Sequence, residues 1–123
     1  MAHTILAIDD EREFVDAIKM RLEAIGYHVI AAYNGRAGLE AARRASPDLI
    51  LLDLVMPGMD GFTVLSELKN DPYTTAIPVV ILTAKEEAGY ITDAESLGAA
   101  AYLAKPLKMW ELEAVLQKFF DEE

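Results

Sequence analysis

The chain has 123 residues, 53% of them hydrophobic, with a formal net charge of −10 and no cysteine. That length suits one domain able to bury a core unaided; the lack of cysteine excludes disulfides, thiolate metal sites and thiol chemistry, and two histidines leave little for imidazole ligation. The charge disfavours the phosphate backbone of nucleic acid as a direct partner, and its excess is concentrated late: residues 1–44 hold seven acidic against six basic side chains, residues 45–123 fourteen against five.

The N-terminus has neither a basic leader nor a small-residue cleavage site, so no signal peptide is expected. The longest later apolar stretch, Ala76 to Ala84, is too short to span a bilayer, which makes a cytoplasmic protein without membrane insertion the expectation. The first apolar β-type run is Thr4 to Ile8. A helix beginning near Glu11 follows, with Phe14, Ala17, Ile18, Leu22 and Ile25 on one face and Gly26 as its stop. The second run, His28 to Ala32, leads to a helix over Gly35 to Ala45 that ends before Pro47. The third, Leu49 to Asp53, leads to one over Gly61 to Asn70 that ends before Pro72.

Between them, Met56-Pro57-Gly58-Met59 suits a type II turn. The fourth run, Pro78 to Thr83, is followed by a helix over Gly89 to Leu97, and the fifth, Ala100 to Ala104, by one that starts after Pro106, covers Lys108 to Phe120, and closes the pattern. Five βα units with strands apolar on both faces predict a parallel sheet covered on each side. An open, doubly wound sheet binds ligands beyond the carboxyl ends of its strands. Those ends carry Asp9 and Asp10, then Asp53, Thr83 and Lys105.

Carboxylates gathered at one edge repel: two unit charges about 5 Å apart interact by roughly 3 kcal/mol at an effective dielectric near 20. Lys105 answers part of this. An oxygen-ligated divalent ion, Mg²⁺ with Mn²⁺ as a substitute, would answer the rest. A carboxylate so braced, beside an ammonium and a hydroxyl, can attack phosphorus and become an aspartyl phosphate. Each residue also has a plainer reading. Asp9 and Asp10 could cap a helix, Asp53 could be a turn acid, Thr83 a β-branched strand residue and Tyr102 a core aromatic. Lys105-Pro106 could be a helix start, in a loop where a cis peptide is tolerated.

Taken in order, Ile8-Asp9-Asp10-Glu11, Leu51-Leu52-Asp53, Met56-Pro57-Gly58-Met59-Asp60-Gly61, Thr83-Ala84 and Lys105-Pro106 resemble the response-regulator receiver family, with regulators of the chemotaxis type among its members. The likeness runs from Thr4 to about Phe120, so residues 1–123 read as one receiver domain. It implies an α/β flavodoxin-like fold, a (βα)5 doubly wound five-stranded parallel sheet with strand order 2-1-3-4-5.

It also implies roles. Asp53 would be the phosphoacceptor, Asp10 a direct and Asp9 a water-mediated Mg²⁺ ligand, and the backbone carbonyl of Val55 a further ligand. Lys105 and Thr83 would bind phosphoryl oxygens, and Thr83 with Tyr102 would form the switch that alters the surface of the fourth helix, fifth strand and fifth helix. The donor would be a phosphohistidine on a sensor histidine kinase or phosphotransfer protein, with Phe14 and Ile18 on the first helix as a docking face. A downstream effector or an output domain, none of which is expected within this chain, would read the result.

A signalling switch with at most weak self-dephosphorylation is expected, not an enzyme. A haloacid-dehalogenase-type phosphatase would need an acid where Val55 stands, and a flavin mononucleotide carrier would not place Asp-Asp-Glu against a phosphate. A non-phosphorylated interaction scaffold is the remaining alternative. Val55 and Lys85 would flank the path of an attacking water, and Val55, with no polar group to orient that water, suggests a long-lived phosphoryl group. The last helix lacks the arginine that supports charge-paired dimers, which favours a monomer or weak dimer.

Overall fold

A computed structural model of the chain describes residues 2–84 and 90–121, with only the backbone described at residues 90 and 91. Lys85 and Gly89, both used in the sequence reading, lie outside the described residues. The strands are β1 (Thr4–Ile8), β2 (His28–Ala32), β3 (Leu49–Asp53), β4 (Val79–Ala84) and β5 (Ala101–Lys105). The helices are α1 (Arg12–Ala24), α2 (Gly35–Ala45), α3 (Gly61–Asn70), α4 (Tyr90–Ser96) and α5 (Met109–Phe120).

All four strand pairings are parallel, and the order is β2-β1-β3-β4-β5. Alternation of side chains sends Leu6, Ile8, Ile50, Leu52 and Ile81 to one face, where α2, α3 and α4 cover them with Ala42, Leu65 and Ala94. Ile5, Ala7, Leu49, Leu51 and Val80 go to the other, under Val15, Ile18 and Leu22 of α1 and Leu112 and Leu116 of α5. Both faces of the central strands are therefore dry, which is why their sequences are apolar runs without alternation.

Local chemistry sets the ends of the elements. Asn34 and Asp60 cap α2 and α3, their side-chain oxygens each accepting an N–H three residues on, from Ala37 and Thr63, at 2.9 Å. Gly26, at φ +107°, turns the chain after α1. β4 begins at Val79 and not at Pro78, since proline has no N–H for the ladder. Its carbonyl still accepts from Ile50 at 3.0 Å. β4 and β5 each run one residue further than the pattern predicts, to Ala84 and Lys105. The loop from α3 to β4 is closed by Lys69, whose ammonium donates to the carbonyls of Thr75 and Ile77 at 3.2 and 2.8 Å. Burial lowers its pKa from the ordinary lysine value.

Tyr102 is not a core residue, contrary to the plainer expectation for it. β5 is an edge strand in which only Leu103 is buried, and Tyr102, on the alternate face, is 51% exposed.

Candidate functional site

Chain direction reverses across the sheet between β1 and β3: from β1 the chain goes to the neighbour on one side, then returns to pair β3 on the other. This switch point leaves a crevice at the carboxyl ends of β1 and β3. Ile8 pairs with Leu52, so Asp9 follows β1 directly beside Asp53, the last residue of β3. One carboxylate oxygen from each of Asp9, Asp10 and Asp53 lies within 4.8 Å of the others. Asp9 and Asp53 are buried and Asp10 is exposed. These three groups are placed so that they could hold a metal ion.

Neither acid of the pair caps α1. The cap position is Glu11, which makes no side-chain capping bond, and Asp9 Oδ1 instead accepts the Glu11 N–H at 3.0 Å. That bond fixes the Asp9 carboxylate at the base of the crevice. Asp53 is held in a similar way, its Oδ1 accepting the Val55 N–H at 3.2 Å. A glycine stands behind it by necessity: a Cβ on Gly61 would sit 2.3 Å from the Asp53 carbonyl oxygen and 2.4 Å from Leu54 Cα. In the intervening loop Gly58 has φ +78°, the left-handed backbone that the Pro57-Gly58 turn was expected to need.

Lys105, arriving from β5 just before a cis Lys105-Pro106 bond, supplies the site's cation. Its Nζ lies 2.6 Å from Glu11 Oε1, 2.8 Å from Asp9 Oδ2 and 3.7 Å from Asp53 Oδ2. Asp9 Oδ2 is sealed from solvent and at ion-pair distance, yet outside hydrogen-bond alignment. The ammonium also sits 4.4 Å from the centre of the Phe14 ring. Burial alone would lower the pKa of Lys105, but its close contacts with Asp9 and Glu11 and the charge of Asp53 outweigh it and hold the group above its ordinary value.

Lys105 does not offset the acids. Burial, then the charge of Asp9, push the Asp53 carboxyl up to about 7, against the opposing pull of Lys105 and the Val55 N–H. A carboxylate in this position is short of positive charge.

The cleft above Asp53 has a volume of about 260 Å³ and is lined by Asp10, Glu11, Asp53, Val55, Ala84 and Lys105. Thr83 lies behind it, 1% exposed, with its hydroxyl donating to the Ala84 carbonyl at 3.3 Å. It stands one residue past Leu82, the register partner of Asp53. Larger hollows between α2 and α3 and at the opposite end of the sheet, about 380 and 420 Å³, gather no comparable set of acids. The structure thus brings Asp9, Asp10, Asp53, Val55 and Lys105 together, sets Thr83 at their margin, and leaves Tyr102 on the edge strand. Sequence reasoning missed Glu11 and Phe14 as partners of Lys105. A glutamate at a helix N-cap, where Ser, Thr, Asp or Asn is the norm, was the available signal.

Residues 5–117 match the family described as "Response regulator receiver domain". The chain belongs to the response regulator receiver domains. Among relatives of this receiver domain, the response regulator PleD of Caulobacter vibrioides is 44% identical over 107 residues, 87% of this chain but only 24% of that protein's length. Protein PilH of Pseudomonas aeruginosa is 39% identical over 103 residues, covering 84% of this chain and 85% of its own. In structure, the receiver domain superposes on the Vibrio cholerae chemotaxis protein CheY4 with a TM-score of 0.91 at 28% identity, over 98% and 100% of the two chains. The receiver domain of the Pseudomonas aeruginosa sensor histidine kinase PA1611, with a magnesium ion coordinated in its active-site cleft, gives 0.87 at 29% identity over 97% and 98%. The shared fold is the five-stranded parallel receiver fold with strand order 2-1-3-4-5. No helix among the described residues is long and apolar enough to cross a membrane.

Proposed function

We propose that this receiver domain is a phosphorylation-operated switch in which Asp53 accepts a phosphoryl group from a phosphohistidine on a sensor histidine kinase or phosphotransfer protein. The observation that carries the reading is the cluster of Asp9, Asp10 and Asp53 at the β1/β3 crevice, with the Lys105 ammonium against Asp9 and Asp53 and Asp53 itself lining an open cleft. Such a site attracts a small hard cation, and Mg²⁺, or Mn²⁺ in its place, fits the all-oxygen donor set of Asp9, Asp10 and Asp53 with the Val55 carbonyl. Burial and the charge of Asp9 raise Asp53 to about 7, and a bound cation would oppose both by favouring the carboxylate. When bound, the ion would supply charge neutralisation for the acids and for the transferring group.

The chain's own groups do the rest. Asp53, held by the Val55 N–H, presents its second oxygen to phosphorus. The new P–O bond forms as the P–N bond to the donor imidazole breaks, the electron pair staying on nitrogen. Lys105 shifts to a phosphoryl oxygen and Thr83 exchanges the Ala84 carbonyl for another, both charge-assisted bonds of the stronger kind. Phosphorylation adds roughly 1.5 to 2 negative charges, which draws the Thr83 hydroxyl inward. Tyr102, half exposed on β5, then turns inward, and the α4-β5-α5 face changes for a downstream protein or output domain. The group departs only slowly without a partner, so the domain is an acceptor and not a turnover catalyst.

Incubation with phosphoramidate and Mg²⁺, followed by intact mass, tests this. Addition of one phosphoryl group to wild type but not to Asp53→Asn is expected. A well-folded wild type that gains no mass overturns the proposal in favour of an interaction scaffold, and sustained release of phosphate would make the protein a phosphatase.

A further inference from the structure

We propose that Glu11 is a positioning residue for phosphoryl transfer: it holds Lys105 away from Asp53 in the resting site and must be exchanged for the phosphoryl group. The inference rests on the acceptor reading of Asp53. Its basis is the unequal sharing of the ammonium, 2.6 Å from Glu11 and 2.8 Å from Asp9 but 3.7 Å from the acceptor. The shortest of these contacts goes to a carboxylate with no other hydrogen bond or ion pair among the described residues. Glu11 occupies the N-cap of α1 without capping it, while its N–H is taken by Asp9 and its carbonyl by the Val15 N–H. A locally poor capping choice joined to a specific long-range contact points to function.

The two carboxylates nearest Lys105 differ in freedom. Asp9, 1% exposed, is fixed in the crevice, whereas Glu11, 63% exposed, can swing into water at little cost. Phe14, 4.4 Å from Nζ, provides a shelf on which the ammonium can slide from one partner to another. A phosphoryl group on Asp53 outbids Glu11 because it carries more charge and three acceptor oxygens. Before transfer, Glu11 withholds the cation that would neutralise the incoming group, so its removal speeds the step.

Phosphoramidate is the probe. Its P–N bond breaks as the Asp53 oxygen forms the P–O bond, and the already protonated nitrogen leaves as ammonia. Initial rates of mass gain at saturating Mg²⁺ are compared for wild type, Glu11→Gln, Lys105→Met and the double variant. Lys105→Gln replaces Lys105→Met if circular dichroism shows the latter unfolded. In the wild-type background Glu11→Gln is expected to raise the rate about two- to fivefold, the range of a partly exposed ion pair. In the background lacking Lys105 it is expected to have no effect, since the latch acts through that lysine. An equal rise in both backgrounds means that Glu11 merely repels the donor, and no rise in either means that it does nothing; both overturn the latch while leaving Asp53 as acceptor. Failure of wild type to gain the group overturns the acceptor reading and the latch with it.

Discussion

At the scale of single residues, Asp53 and Val55 carry separable consequences. The Asp53 carboxyl is raised by burial and by Asp9 to about 7, against roughly 3.9 in an unfolded chain. Between those values the folded protein binds a proton that the unfolded chain has released, so the stability of the metal-free protein falls as pH rises from about 4 to 7. Asp53→Asn removes that dependence. In urea unfolding with a chelator present, the variant is expected to be more stable than wild type at pH 8, with the gap closing toward pH 4. A gap that stays constant with pH would refute the assignment of the burden to Asp53. Added Mg²⁺ should narrow it at pH 8 by stabilising wild type. Val55 is 48% exposed on the cleft and offers no polar group to orient an attacking water. Val55→Asn is therefore expected to shorten the life of the phosphoryl group several-fold after donor removal, as followed by intact mass. An unchanged half-life would place water control elsewhere.

At the scale of elements, helix starts divide into those that only stabilise and those that also aim the site. Asn34 caps α2 and does not line the acidic cleft, so Asn34→Ala should lose about 1 kcal/mol in denaturant unfolding and leave the phosphorylation rate unaltered. Gly61 begins α3 against the backbone of Asp53 and Leu54. A methyl there forces β3 and α3 apart, so Gly61→Ala should lose roughly 1 to 3 kcal/mol and slow phosphorylation of whatever remains folded. A variant equally destabilised but with wild-type rate would detach α3 from acceptor geometry. This contrast shows what was legible beforehand. The starts of α2 and α3 at Gly35 and Gly61, and their stops ahead of Pro47 and Pro72, follow from short-range chemistry that a sequence displays. The contact of Gly61 with Asp53, the Glu11 bond to Lys105 across 94 residues, and the outward position of Tyr102 depend on which strands become neighbours and which lies at the edge. Their places at the carboxyl ends of the strands put the acids, Thr83 and Lys105 at one edge of the sheet, and the resemblance supplied their roles. It could not rank the partners of Lys105, because several carboxylates stood equally available to it.

At the scale of the whole molecule, a net charge of −10 governs how two copies meet. The described part of α4 carries Asp93 and Glu95, and α5 carries Glu111 and Glu113 against Lys118, with Trp110 67% exposed beside them. A face so composed has few opposite charges to pair with its own copy, and phosphorylation deepens the repulsion by roughly 1.5 to 2 charges per chain. Any self-association through it must draw on apolar contact from Trp110 and Tyr102. Salt then acts in a diagnostic direction. Screening, with a Debye length of about 10 Å at 0.1 M, weakens a dimer held by charge pairs and strengthens one that forms against like-charge repulsion. Light scattering of the phosphorylated protein across a salt series is expected to give one chain's mass at low salt, with any rise in mean mass appearing only as salt increases. A dimer that is tight at low salt and dissociates on adding salt would show that complementary charges on this face outweigh the net repulsion.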